Sequence, residues 1–383
     1  MKILVHALAA LETGGSDRHL RGMLASLETA EPSAEYILYV STAFPIQQTP
    51  KTVSVRSVLL RGQFHRLWWD QVVLPKVATS ERVGAVWATL SFGMLRPPVP
   101  QIVFQRNAMY YCPAHLDTLS GRELLVTRIR RALLHGAMRA SRWIITPTTA
   151  MRDMIRGVHP QLPSHRFQVM PHPYDAETAR GPLSSHLARL IADAPAQTVR
   201  FLYVGHILSF KALPFLLEAF RRAVDRSVRP LRLYLTIARE DWARGFDEFV
   251  RRVEVLRLTR EVVVLGKVPG SMVERLYRAC DVLVFPSLCE SFGFPLLEAQ
   301  TYGLPIVAAD TEVNREMAGD AAVYYRPGHV DEAARLLQAT AADEGLRRAL
   351  ADRGMQRAPR PTWVEYSKRC LELSRPTLTD GQR

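Results

Sequence analysis

Cysteine is scarce in this chain: four residues in 383, at 112, 280, 289 and 370, with no C-x-x-C pair and no histidines at ligand spacing. That scatter excludes a disulfide framework or a zinc centre as the organising device and points to reduced thiols. No run of 18 or more apolar residues occurs, so no segment reads as a membrane span. The apolar part of MKILVHALAALETGG is too short for an ordinary secretory leader and runs into a strand–loop–helix pattern, so the expected location is the cytoplasm. Repeats and low-complexity tracts are missing. So is any D-x-D triplet that would offer a carboxylate site for Mg2+, and no metal or other cofactor is expected. Acidic residues are outnumbered, 37 against 50 Lys and Arg, for a formal charge of +13. The excess is concentrated early, where residues 1–180 carry 21 basic and 12 acidic side chains. A basic face favours an anionic partner. Helix-turn-helix, zinc-finger and aromatic RNA-binding motifs are all lacking, so nucleic acid is not the expected one.

What is present is a 383-residue chain, 48% hydrophobic and 23% charged, long enough for two domains with their own cores. Two similar blocks stand out. KILVHAL (2–8) leads through a glycine-containing loop into a helical pattern from Ser16, and RFLYVGHIL (200–208) leads into KALPFLLEAFRRAV. YILYVS, VGAVWATLS, PQIVFQR, SRWIITPT and RFQVMPH read as further strands of the first half. LRLYLTI, EVVVLGKV, DVLVFPSL and LPIVAAD read as strands of the second, and helical patterns fill the gaps. Continuous apolar strands alternating with helices predict parallel sheets covered on both faces. The expectation is α/β: two tandem Rossmann-like, doubly wound domains facing a cleft. The first covers 1–175, a linker rich in Pro, Ala and polar residues 176–199, and the second domain 200–360. A helix over 362–374 within the remaining 361–383 is expected to cross back to the first domain.

The stretch SLCESFGFPLLEAQTYGLPIVA (287–308) keeps Glu290 and Glu298 eight apart among apolar residues. Pro295 suits the first turn of a helix. The backbone N–H groups near Gly293 and Phe294 then form an anion site that glycine lets a ligand approach. From spacing alone two accounts stay open. Glu298 either complements the helix dipole or accepts hydrogen bonds from a ligand's hydroxyls, and Glu290 is either solvated or reaches a sugar. Lys211, at the start of a helix pattern, opposes the dipole, which favours a phosphate partner over simple solvation.

ESFGFPLLEA, YGLPIVAAD and NREMAGDAA resemble the E-x7-E region of GT-B glycosyltransferases, specifically the retaining family 4 group. VGHILSFK (204–211) is similar to that family's G-R-L-x-x-x-K segment. GGSDRHL (14–20), ASRWIITPTTAMRDMI, RFQVMPHPYD, HRLWWDQVVLPK and VPQIVFQRNAMYY resemble further segments, so the likeness covers nearly the whole chain. The resemblance implies that Glu298 holds the donor's ribose hydroxyls and that Glu290 contacts the donor sugar. It implies further that Gly293 and Phe294 orient the sugar or diphosphate, with Phe292 and Leu297 beside them. Lys211 matches the phosphate lysine, Gly205 and His206 flank it, and Lys267 and Val268 lie on the loop expected to meet the base. Gly14 and Gly15 form the first domain's glycine loop.

Three departures bear on the site. His206 stands where the family has arginine, and a neutral imidazole is a weaker oxyanion clamp than a guanidinium. Ala212 replaces a glycine, and His172-Pro173 replaces an Asn-Gly. Arg106-Asn107 also stands at the family's H-D-type position; Arg106 either supplies the missing charge or forms a structural pair with a nearby acid, and Glu290, Lys211 and Arg106 are the expected catalytic set. The implied activity is metal-independent, retaining transfer of a hexose from GDP-mannose or a UDP-sugar to a glycan, lipid-linked or other anionic acceptor, in cell-surface polysaccharide or glycoconjugate synthesis. The alternatives are another GT-B reaction (sugar-nucleotide epimerase or phosphorylase) and a basic membrane-surface binding protein. The Arg-rich segment 122–143 is the candidate for peripheral contact with an anionic inner-membrane face.

Overall fold

A computed structural model describes residues 1–9, 15–44, 46, 49–174, 181–357 and 361–375. The chain divides into two compact units. One comprises Met1–Cys112, Leu119–Asp175 and Arg360–Arg383, and the other Pro113–Thr118 and Ala176–Pro359.

The first unit is built on seven strands: β1 (Lys2–Ala7), β2 (Glu35–Ser41), β3 (Val53–Val58), β4 (Ala85–Ala88), β5 (Gln101–Phe104), β6 (Trp143–Thr146) and β7 (Phe167–Val169). They lie in the order β3-β2-β1-β4-β5-β6-β7, every pair parallel. Ile3, Leu4, Val5 and Ala7 are buried, as are all four residues of β4 and of β5, because helices cover both faces. The helix Trp363–Ser374 belongs to this unit. A capping box between Thr362 and Glu365 starts it, and Trp363, Tyr366, Cys370 and Leu371 bury against the core. It lies along the helix Gly15–Ala30, with Ser26 and Ser367 hydroxyls 2.7 Å apart and the indole of Trp363 seated over Gly22.

The second unit carries β8 (Val199–Tyr203), β9 (Leu231–Leu235), β10 (Val262–Val264), β11 (Val282–Phe285), β12 (Ile306–Ala309) and β13 (Ala322–Tyr325). Their order is β10-β9-β8-β11-β12-β13, again all parallel. In both sheets the order runs outward in one direction from the first strand and then reverses to the other side. The α/β, doubly wound expectation describes each unit.

Two strands escape the sequence reading, β3 and β13, and each is an edge. VSVRSV buries Val53 and Val58 while Ser54, Arg56 and Ser57 face solvent, so it has no continuous apolar run. RFLYVGHIL yields a strand only to Tyr203, because Gly205 adopts φ +153° and turns the chain aside. Of the stretch expected as linker, residues 176–180 lie outside the described residues. Beyond them Ser184 caps a helix, Ser185–Ala192, that buries Leu187 and Ile191. Among the described residues no helix is long and apolar enough to cross a membrane.

Candidate active site

In the second unit the strand order reverses between β8 and β11. The loops at the carboxyl ends of such a reversal are the usual binding position in these sheets. After β8 the chain passes Gly205 and His206 into a tight turn, Ser209–Lys211, and then into the helix Leu213–Arg226. After β11 come Ser287 to Gly293 and the helix Phe294–Thr301. The two loops are tied by the Leu288 N–H donating to the Phe210 carbonyl at 2.9 Å. A second tie, from the buried Asn314 amide, holds the β11 loop to the end of β12, donating to the Ser287 and Ala309 carbonyls at 3.2 and 2.9 Å.

The first tie brings Lys211 onto Glu290. Nζ donates to Oε1 at 2.5 Å, and both side chains are only 15% exposed. Lys211 is therefore not a solvated lysine at a helix start. It sits in the turn before the helix, with its ammonium 5.6 Å from the Phe210 ring centroid and 5.8 Å from that of Phe285. Ala212, the next residue, holds φ 49°, ψ 36°. This left-handed conformation explains why a glycine suits the position, and the Cβ carries a cost of about 1–2 kcal/mol.

Gly293 caps the helix Phe294–Thr301 at φ 79°, ψ 61°, and Pro295 occupies its first turn. The positive φ favours glycine at position 293, and a Cβ there would stand 3.2 Å from the Leu296 side chain, close enough that this side chain would have to give by a few tenths of an ångström. Phe292 and Leu297 are buried, and the Phe292 and Phe294 rings meet edge to face at 5.1 Å. Glu298 is buried, and its Oε2 accepts a hydrogen bond from the Tyr277 hydroxyl at 2.7 Å. Tyr277 lies on the helix Gly270–Ala279 and stacks on Tyr302 with centroids 5.8 Å apart. A carboxylate out of solvent needs hydrogen bonds to stay charged. A buried Glu298 held by a phenol is thus a built position, not a surface complement to the helix dipole.

His206 is fixed by Asp241, on the loop after β9: Nδ1 lies 2.8 Å from Oδ1. Its carbonyl accepts from the Tyr203 hydroxyl at 2.9 Å, and the Gly205 N–H donates to the Thr236 hydroxyl at 3.2 Å. Burial drives the Tyr203 phenol far above its usual range, with Glu290 and Asp241 adding to the effect. Lys267 is exposed and Val268 half-buried, both on the loop from β10 to the helix Gly270–Ala279.

In the first unit Arg106, just after β5, donates from Nη2 to the Gly15 carbonyl at 2.6 Å. Its Nη1 lies 3.5 Å from the Thr89 carbonyl and its Nε 3.4 Å from His172 Nε2. Burial lowers its pKa to about 10, so it stays cationic near neutrality. His19 and His172 are held neutral, pushed well below the usual imidazole range by burial and then by Arg106. Gly14 lies outside the described residues.

The fold thus gathers Gly205, His206, Lys211, Glu290, Phe292, Gly293, Phe294, Leu297 and Glu298 at one sheet switch, and it joins Arg106 to Gly15 in the other unit. Sequence reasoning missed Tyr277 and Asp241. Tyr277 sits at an apolar helical period that says nothing of its hydroxyl. Asp241 stands in the segment ARED beside two other charged residues, Arg239 and Glu240, that read equally as surface positions.

Residues 191–357 match the family described as Glycosyl transferases group 1. O-antigen chain mannosyltransferase B of Escherichia coli is 30% identical over 164 residues, 42% of this chain and 42% of that protein. The D-inositol 3-phosphate glycosyltransferase of Kribbella flavida is 33% identical over 174 residues, 42% and 39% of the two chains. The matched region therefore spans about two-fifths of the length of these relatives. Among solved structures, WaaG, a glycosyltransferase involved in lipopolysaccharide biosynthesis, superposes with a TM-score of 0.73 at 17% identity over 100% of both chains. Anabaena Alr3699/HepE in complex with UDP and glucose gives 0.72 at 17% over 97% of this chain and 98% of that one. At such identities the likeness establishes the fold. The likeness to glycosyl transferases group 1 thus covers residues 191–357, and the likeness of fold covers the whole chain.

Proposed function

We propose that the protein transfers a hexosyl group from a nucleotide sugar to a hydroxyl of a glycan, lipid-linked or other anionic acceptor, with retention and without a metal ion, in cell-surface polysaccharide or glycoconjugate synthesis. The observation that carries this is the Lys211–Glu290 pair beside the Gly293 helix start, with Glu298 held by Tyr277 at the same switch. In this reading the diphosphate of the donor takes Lys211 as its cation and the first-turn amides at Gly293 and Phe294 as donors. Charge that builds on the leaving group is met by groups already in place. Glu290, released from Lys211, contacts the donor sugar, and Glu298 accepts from the ribose hydroxyls. Lys267 and Val268 approach the base. The first unit holds the larger basic excess and is proposed to take the acceptor, with Arg106 its catalytic cation. The E. coli relative's name favours a mannosyl donor, whereas the HepE complexes hold UDP and glucose, so GDP-mannose and UDP-glucose are the first donors to try.

Calorimetric titration with UDP, GDP, CDP and ADP, with and without Mg2+, tests the reading on the wild type and Glu298→Ala. Metal-independent binding of one nucleotide, lost in the variant, is the expected result. Absence of binding by all four rejects it. Product analysis with and without an acceptor then separates transfer from epimerisation or phosphorolysis.

A second reading, peripheral membrane contact by the same enzyme, is favoured by one observation. The helix Gly121–Ala140 exposes Leu125 and Ile129 between its arginines, and Arg130 donates to Gln63 at 2.6 Å, next to the exposed Phe64. Aromatic and basic side chains together suit an anionic lipid surface. Replacing Arg128, Arg130 and Arg131 by Glu is expected to abolish co-sedimentation with anionic vesicles, and unchanged sedimentation removes this role.

A further inference from the structure

We infer that Asp241 is a positioning residue that makes His206 the second, proton-dependent cation of the donor site, so that binding of a nucleotide sugar takes up a proton. The inference rests on the donor-site reading above and adds to it a residue, Asp241, and a linkage that a fixed guanidinium at position 206 would not show.

Three observations carry it. First, the Asp241 carboxylate, only 15% exposed, lies 2.8 Å from His206 Nδ1. A carboxylate accepts and cannot donate, so it selects the tautomer with hydrogen on Nδ1 and fixes the ring plane. Nε2 is then the nitrogen available to a ligand, on a side chain 45% exposed. Second, the backbone beneath the ring is held on both sides, by Tyr203 on the His206 carbonyl and by Thr236 on the Gly205 N–H. The ring is therefore presented from a rigid turn. Third, His206 and Lys211 both lie on the chain that follows β8, so the His206–Asp241 and Lys211–Glu290 pairs share one loop.

The groups around His206 are therefore Asp241 from the loop after β9, Tyr203 from β8, and the Lys211–Glu290 pair further along the same loop. Arg239 and Glu240 precede Asp241 on its loop, and Arg239 is engaged by both oxygens of Asp247 at 3.0 Å. Imidazole changes charge within the physiological range, whereas a guanidinium does not. A diphosphate placed against Nε2 adds negative charge beside the ring and favours the imidazolium, with Asp241 balancing it from the other nitrogen. Ligand that prefers the protonated form must draw a proton from solution as it binds. Asp241 touches the ring and not the ligand.

The experiment is calorimetry on the full chain with GDP-mannose and UDP-glucose, whose diphosphates do not themselves titrate between pH 6 and 9. Titrations are run across that range in pairs of buffers with different ionisation enthalpies. Expected is a buffer-dependent heat equal to uptake of a fraction of a proton, up to one, with affinity weakening up to tenfold per pH unit on the alkaline side. His206→Arg should bind with no pH dependence, His206→Gln should bind weakly at every pH, and Asp241→Asn should shift the loss of affinity to lower pH. Wild-type affinity that is flat with pH and free of buffer dependence overturns the inference and leaves the donor site standing. PH dependence retained in His206→Arg overturns it too. Failure of both nucleotide sugars to bind at any pH removes the donor-site reading itself and the inference with it.

Discussion

At the β1/β4 switch of the first unit, Arg106 rests on the Gly15 carbonyl beside two neutral, buried histidines. At the β8/β11 switch of the second, Lys211 lies on Glu290 and His206 on Asp241. The strand orders are alike and the electrostatics are not. A cation bound to backbone carbonyls is locked to the loop it holds, because releasing it strands those carbonyls. A cation bound to a carboxylate can exchange that partner for a phosphate with little change in the charge around it. The same topology thus yields a fixed brace in one unit and, in the proposed reading, an exchangeable anion site in the other.

The sharpest way to break this contrast is to remove the exchangeable cation. Lys211→Ala should lower kcat for sugar transfer on the order of 10²–10³-fold, the scale for losing one preorganised charge stabiliser. Steady-state kinetics checks it, and a loss confined to KM would mean that Lys211 only binds. On the brace side, a methyl at Gly22 would overlap the Trp363 indole that anchors the terminal helix. Gly22→Ala is expected to destabilise the first unit by about 1–3 kcal/mol, read as a lower urea midpoint, with nucleotide binding by the folded protein unchanged.

The pH response should separate the units as well. His19 and His172 are neutral in the folded chain, and His159 is lowered to about 4 by burial, then by His135 and Arg131. The unfolded chain binds these protons near pH 6.5, so this stability is present above about 6.5 and lost as pH falls towards 4. In the second unit Asp310, Asp331 and Glu332 are held low by Arg315, Arg222 and Arg326 respectively. Their contribution is present above the usual carboxylate range and is lost only below it. Amide exchange at pH 5 against pH 7 should therefore open residues 15–30 and 363–374 before the second sheet, and simultaneous opening would refute the contrast. The smallest effect is expected at Ala212. Its left-handed backbone makes Ala212→Gly stabilising by roughly 0.5–1 kcal/mol, once the looser unfolded chain is set against the relieved strain, and thermal melts would show it.

Much of the framework could be read from the chain because its central strands are buried on both faces. VLVF and IVAA need no partner to be recognised. The edges, VSVRSV and AVYY, were hidden because half of an edge strand answers to solvent. In the site, Gly293, Pro295, Glu290 and Glu298 were legible as a local helix start, since caps and turns depend on neighbours in sequence. Tyr277 was not, because it reaches Glu298 from another helix, 21 residues away.

Composition and periodicity alone settle that this chain makes two parallel α/β sheets, and local spacing settles that a glycine-capped helix with proline in its first turn follows β11. Only the tertiary structure decides which charges meet. Lys211 and Glu290 are 79 residues apart, and His206 and Asp241 are 35 apart. Nothing in either segment names its partner. The pairing follows from the order of strands in the sheet, which brings the ends of β8, β9 and β11 to one edge. There burial makes an unpaired charge costly, so Lys211 comes to rest on Glu290.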